Sequence, residues 1–251
     1  MNAIGLFGYT IKWRFLSLFC EYFPPITTIE TKHGLIKWYT PGRTPHSRID
    51  GYFIKETENF ALIDSFPVGS VFWDVGANCG TYSMYAAKKG DVVIAFEPIA
   101  HNYNILTTNI QINFFEDNCT AYCIGLSDHH SFDYLYMQTL DIGKGGGTIG
   151  KTVNDRREYF LAEFRQGTLT FPPDGLISMG IPQPDYMKID VDGLETEILN
   201  GAKDVLSNVK GLSIEINPHR ADRTELIALI QSHGLKLDKI HGIAQNYIFY
   251  R

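Results

Sequence analysis

Val71-Phe72-Trp73-Asp74-Val75-Gly76-Ala77-Asn78-Cys79-Gly80 is a short apolar run that breaks into a glycine turn. Its continuity, its Val and aromatic content and the two closing glycines fit a strand of a parallel sheet rather than half of a surface hairpin. A helix is expected over 79–89, because Lys88 and Lys89 suit the carboxyl end of a helix dipole and Gly90 suits the left-handed residue that closes one. A strand feeding a glycine turn and then a helix N-terminus leaves backbone N–H groups aimed at whatever binds there. The stretch therefore predicts a parallel sheet and a small-ligand site at the same point.

Downstream, strand and helix patterns alternate. Strands are expected over 91–96, 119–124, 185–189 and 211–216, helices over 100–113, 194–206 and 221–233, and a closing strand pair over 235–241 and 247–250. Residues 132–137 alternate as an antiparallel addition would, Gly125 to Asp128 reads as a turn, and the glycine-rich 138–153 reads as a loop. The alternation predicts an α/β doubly wound sheet with ligands at the carboxyl ends of its strands. Upstream, a strand over 32–40, a Pro41-Gly42 turn and a helix over 49–66 stopped by Pro67 predict a cap over the sheet edge or the site mouth. The expected organisation is a cap region over 1–66 and one compact unit over 67–251. Residues 4–23 carry seven aromatics and three charges, which suits a helix or helix pair docked on the core; a lid, a dimer contact or a membrane-surface anchor formed by residues 1–25 are the alternatives.

The balance of 22 basic against 28 acidic residues, a net charge of −6, argues against sequence-independent binding to nucleic acid. Cys20, Cys79, Cys119 and Cys123 form no CxxC pair and have no histidines at zinc-finger spacing. Cys119 and Cys123 fall on one face of one expected strand, about 13 Å apart, too far for a disulfide. Reduced thiols in a cytoplasmic protein are the expectation, with no signal-peptide pattern and no run near the roughly 20 apolar residues of a membrane span.

The glycine spacing is Gly76-x-Asn78-x-Gly80, not G-x-G-x-x-G. The dinucleotide fingerprint uses its second glycine to bring backbone against a pyrophosphate, and Asn78 in that place disfavours NAD. Glu97, 21 positions beyond Gly76 at the end of the second core strand, can accept hydrogen bonds from both hydroxyls of a ribose and repels phosphate. Turn and acid together describe a nucleoside without phosphates. S-adenosylmethionine fits, with its ribose at Glu97 and its carboxylate at the helix N-terminus.

These residues sit in longer runs: FWDVGANCGTYS at 72–83, FEPIAHNYNILTTNIQIN at 96–113, GLSD at 125–128 and MKIDVDGLETEILNGA at 187–202. In this order, and with HGLIKWYTPGR at 33–43 upstream, they resemble the FkbM-type S-adenosylmethionine-dependent methyltransferases over roughly 32–217. The resemblance implies a class I methyltransferase (Rossmann-like) sheet, mostly parallel with an antiparallel C-terminal strand. It implies cofactor contacts at Asp74, Gly76, Ala77, Asn78, Gly80, Glu97, Pro98 and Asn102, with adenine near Gly125, Ser127 and Asp128. It also implies O-methylation of a hydroxyl on a saccharide or other small natural-product acceptor. Pro172-Pro173 and the loop around Gly145 depart from the family's pattern and leave the acceptor open.

Transfer from a sulfonium is an in-line displacement, so an enzyme must align the reactants and, for an alcohol, remove a proton. Asp190, Glu215 after the fifth core strand and His219 just beyond are the catalytic candidates able to reach such a spot; Asp190 with Asp192 as a divalent-ion pair is a lesser alternative. Asp192 with Glu195 resembles a helix capping pair. Gly145-Gly146-Gly147-Thr148-Ile149-Gly150-Lys151-Thr152 satisfies G-x-x-x-x-G-K-[ST] and raises a rival, a nucleotide hydrolase using Lys151 and Thr152. The half-exposed pattern before it, with Asp133, Gln138 and Asp141, is not the buried strand a P-loop follows, so a mobile loop near the acceptor pocket is preferred. A non-catalytic cofactor-binding module is the remaining rival.

Overall fold

The structure, a computed structural model, describes residues 14–15, 23–55, 57–154, 156, 158–241 and 246–251. The readings made for the aromatic segment over 4–23 lie almost wholly outside the described residues. The described fold opens with a hairpin of β1 (Ile26–Thr31) and β2 (Gly34–Tyr39), then helices α1 (Arg43–Lys55) and α2 (Thr57–Ser65). The quoted stretch forms β3 (Val71–Val75), followed by α3 (Thr81–Lys89), β4 (Val92–Phe96), α4 (Ala100–Asn113) and β5 (Cys119–Tyr122). A second sheet then forms from β6 (Gly125–Leu126), β7 (Ser131–Met137), β8 (Gly147–Ile149) and β9 (Phe164–Phe171). Short α5 (Pro173–Ser178) leads back to β10 (Tyr186–Ile189), α6 (Glu195–Asn200), α7 (Lys203–Asn208), β11 (Gly211–Glu215), α8 (Arg223–Ser232), β12 (Lys236–His241) and β13 (Asn246–Tyr250).

The central sheet has the order β12-β13-β11-β10-β3-β4-β5, and β13 enters antiparallel between β11 and β12 while the inner strands run parallel. β3 and β10 lie side by side where the strand order reverses, and such a switch point opens a crevice at the carboxyl ends of the strands. Neighbouring side chains of β3 serve opposite faces. Trp73 and Val75 join Met187, Ile189 and the apolar sides of α6, α7 and α8; Phe72 joins Val93, Ala95 and the α3 side. This double burial explains why the strand shows no polar alternation.

The cap packs into the second core. Ile36, Trp38 and Ile49 are fully buried there, and Asn109 and Asn113 on α4 accept the β2 amides of Tyr39 (2.7 Å) and Lys37 (2.9 Å).

Several boundaries depart from expectation, each for a local reason. The helix expected over 79–89 starts at Thr81, because Gly80 holds φ +85° outside the helical region. The helix expected over 49–66 is two helices, the first entered through Pro41-Gly42 with Pro45 in its opening turn, where a missing N–H is harmless. The helix expected over 194–206 is likewise two, because the Asp174 carboxylate accepts the amides of Asp204 (3.0 Å) and Val205 (2.9 Å) and gives α7 its own N-terminus. β9 is mostly half-exposed and carries Gly167, so its pattern is weak in sequence, and β8 lies inside the stretch read as a loop. Gly125 and Leu126, read as a turn, pair with β9 as β6. Cys123 lies beyond β5 and is exposed while Cys119 is buried, so the two do not share a strand face; both are free thiols, as is Cys79.

Candidate active site

A cavity of about 340 Å³ opens at the switch point, against the carboxyl ends of β3, β4, β10 and β11. Its floor is the opening turn. Gly76, Asn78 and Gly80 all take positive φ (80°, 51° and 85°), and the amides of Gly76 and Ala77 both donate to Phe96 O at 2.9 and 3.1 Å. Asn is among the few side chains that tolerate this region, so Asn78 reproduces the backbone shape of a glycine while keeping an amide.

Gly76 has a stricter reason. A Cβ there would lie 1.9 Å from the backbone oxygen of Asp190, so its absence lets the ends of β3 and β10 stay adjacent. Gly76→Ala should destabilise the fold by about 3 kcal/mol or more, through clash with backbone and a strained φ. Gly125→Ala should cost less, because the atom met at 2.1 Å is Ile149 Cδ1, the end of a side chain that can turn away. Urea denaturation of both variants checks the ordering.

Glu97 is 3 % exposed and lines the cavity at the end of β4. Its Oε2 accepts Asn78 N and its Oε1 accepts Ile99 N, each at 2.8 Å. Burial pushes its carboxyl up to about 7, against the lowering pull of those two amides. Each oxygen keeps a second lone pair.

Across the crevice, Lys188, Asp190 and Glu215 form the opposite wall. Lys188 is 3 % exposed, with Nζ donating to Asp190 Oδ2 at 2.8 Å and lying 4.8 Å over the Tyr82 ring. Burial works to raise the Asp190 carboxyl, but Lys188 and a hydrogen bond with Glu215 outweigh it and hold Asp190 below the ordinary carboxylate range. Glu97, Asp190, Asp192 and Glu215 face Arg48 and Lys188, so acids outnumber bases in the lining four to two. A polyphosphate is repelled by that balance and a cation is welcomed.

The family model for the methyltransferase FkbM domain matches residues 74–237, well over half of the chain. The chain belongs to the FkbM methyltransferase family. Its sheet is that of class I methyltransferases, and its methyl donor is S-adenosylmethionine. Methyltransferase sdnD of Sordaria araneosa is 26% identical over 223 residues, 77% of this chain and 85% of that protein. Hexuronic acid methyltransferase AglP of Haloferax volcanii is 28% identical over 161 residues, 62% of this chain and 59% of that protein. Among solved structures, an FkbM methyltransferase from Methylobacillus flagellatus KT matches with a TM-score of 0.52 at 17% identity, covering 73% of this chain and 44% of that one.

The cavity of this FkbM methyltransferase fits the donor chemically. Ile124, Leu126 and Ile149 make one end apolar, Glu97 offers acceptors beside it, and the acids farther along suit a sulfonium. Of the residues expected from sequence, Gly76, Ala77, Asn78, Glu97, Pro98, Gly125, Asp190 and Glu215 all line the cavity. The others stand behind it. Asp74 is fully buried and accepts Ser83 Oγ at 2.6 Å, which ties β3 to the first turn of α3. Gly80 packs on Leu106. Asn102 is fully buried on α4, Ser127 is buried beyond β6, and Asp128 pairs with His129 at the surface. His219 is exposed, its amide donating to Asn217 Oδ1, and does not reach the cavity.

The Asp192–Glu195 capping pair is not formed. No side chain caps α6; Asp192 instead accepts the amides of Gly146 (2.5 Å) and Gly147 (3.3 Å), and Glu195 accepts Gly193 N and pairs with buried Arg220. This also explains the P-loop look-alike. Its amides do cradle an anion and its lysine does meet one, but the anions are internal: Asp192, and Glu197, 2.6 Å from Lys151. Among the described residues no helix follows Thr152 directly, and Val153 forms an isolated bridge with Tyr159. The segment is pinned over the cavity rather than loose beside it.

Sequence reasoning missed Lys188 and Arg48. A lysine inside the four-residue buried run Tyr186–Ile189 was a usable signal, since a charge in such a strand needs a partner. Arg48 had none, because only the fold brings α1 to the cavity.

Proposed function

We propose that this methyltransferase acts on a hydroxyl of a saccharide or other small natural-product acceptor, with Asp190 taking the proton. The observation that carries this reading is the Asp190 carboxylate, held ionised at the cavity wall by Lys188 and Glu215. An alcohol is a poor nucleophile, and a fixed carboxylate at the transfer point supplies the acceptor for its proton. When bound, S-adenosylmethionine supplies an electrophilic methyl on a cationic sulfur. Glu97 would hold the ribose hydroxyls on its remaining lone pairs and the apolar end near Gly125 would hold the base, while Lys188 keeps Asp190 aimed and charged. Glu215, hydrogen-bonded to Asp190, helps hold that carboxylate at the cavity wall. The name of AglP, a hexuronic acid methyltransferase, favours a saccharide over a macromolecule.

Methyl-labelled donor incubated with a panel of neutral and uronic-acid oligosaccharides tests the acceptor class; transfer to none of them, with transfer to a protein or nucleic acid, would overturn it. The nucleotide-hydrolase reading makes a separate prediction. Lys151→Ala removes only a half-exposed ion pair, so we expect S-adenosylhomocysteine affinity to stay within about twofold and stability to fall by less than about 1 kcal/mol. Calorimetry should find no ATP binding in either protein, and ATP binding lost in the variant would revive the rival.

A further inference from the structure

The segment joining β7 to β8, together with β8 itself, roofs the cavity, with Gly145, Gly147 and Ile149 in the lining. Side chains from opposite walls hold it. On the β4 side, Asn102 uses its amide as a peptide would: Oδ1 accepts Gly143 N at 2.8 Å and Nδ2 donates to Lys144 O at 3.0 Å. On the β10 side, the Asp192 carboxylate takes the amides of Gly146 and Gly147, and its backbone oxygen accepts Thr148 Oγ at 2.8 Å. The glycines follow from these clamps. Gly143 and Gly146 hold φ of 82° and 88°, and a Cβ on Gly147 would come within 3.3 Å of Ile99 Cδ1.

The roof comes down on the Glu97 side of the cavity. Gly147 closes on Ile99, whose amide bonds Glu97, and Ile149 closes on Gly125. The Lys188–Asp190–Glu215 wall lies outside these contacts. We propose that Asn102 and Asp192 are positioning residues that clamp this roof over the nucleoside half of the cofactor and so set how long the cofactor stays bound. Asn102 does this without touching the cavity, acting through the Gly143-Lys144 peptide.

The test compares release of S-adenosylhomocysteine with release of 5′-methylthioadenosine, which keeps the nucleoside and lacks the amino-acid end. In Asn102→Ala both ligands should leave about 10- to 100-fold faster, by the same factor, while amide hydrogen exchange over 143–147 speeds up. Asn102→Asp, which keeps the acceptor for Gly143 N, should recover part of the loss. If Asn102→Ala does not fold, Thr148→Val, which removes the bond to the Asp192 backbone oxygen from outside the lining, carries the same test from the opposite wall. Unchanged release of both ligands alongside a lower Tm would reduce the clamp to packing and overturn the proposal. Faster release of S-adenosylhomocysteine alone would put the roof over the wrong end and overturn it too. Failure of the unaltered protein to bind either ligand would remove the cofactor assignment itself, which separates that failure from this one.

Discussion

Replacing Glu97 with Gln should weaken S-adenosylhomocysteine binding by about 100-fold, or about 2.7 kcal/mol, with little change in the acceptor's KM. The substitution keeps the shape and loses the charge. A carboxylate in this position accepts the amides of Asn78 and Ile99 that fix the turn, and with the cofactor bound would accept the two hydroxyls of a ribose as well. The amide of Gln can accept on one side only, so one buried N–H loses its partner as well. The unaltered protein should also show a pH dependence that the variant lacks. Because burial pushes Glu97 up to about 7, the carboxyl must shed a proton to accept both hydroxyls below that pH. Affinity should therefore fall up to tenfold per pH unit as pH drops below about 7, and level off above it. The ligand-free fold responds with the opposite sign. A raised carboxyl contributes stability that is fully present below about 4.5 and is lost as pH rises through about 7. Calorimetry from pH 5.5 to 8.5 reads the first effect and thermal unfolding reads the second. A flat affinity profile would mean that Glu97 does not carry the ribose.

Asp190→Asn should lower kcat by about 1000-fold and leave S-adenosylhomocysteine affinity within about threefold. The amide oxygen of Asn still accepts a hydrogen bond from Lys188, so the wall keeps its shape while losing its base. Asp190 is held below the ordinary carboxylate range, so kcat should not decline between pH 8 and pH 5 through loss of this group. The value of kcat/KM for the donor should decline below about pH 7, because it reports Glu97 in the free enzyme. Separation of the two profiles is the signature of one carboxyl raised by burial and another lowered by a lysine. Coincident profiles would assign both effects to a single group.

The parts of this site that were legible in sequence are those fixed by chain-local geometry. The run from Val71 to Gly80 had to be a doubly buried strand leading into a left-handed turn, and Glu97 had to end the adjacent strand, since one crossover unit separates them. Asp190 follows the same logic at the next strand exit. What escaped were side chains delivered by distant contacts. Arg48 reaches the cavity only because α1 packs into the second core, and Asn102, expected at the cofactor, has its amide bonded to a segment about forty residues away. The P-loop look-alike shows the same limit. Its glycines and lysine do the chemistry their pattern suggests, yet the anions they meet come from the turn after β10 and from α6, which the local pattern cannot reveal.

The proposed reaction places the methyl group on oxygen and the proton on Asp190. Incubation with ¹³C-methyl S-adenosylmethionine and a uronic-acid or neutral oligosaccharide, followed by heteronuclear NMR of the product, tests both halves at once. We expect an O-methyl resonance that disappears in Asp190→Asn although that variant still binds S-adenosylhomocysteine. Label appearing on nitrogen or carbon, or O-methyl product formed at an undiminished rate by Asp190→Asn, would contradict it.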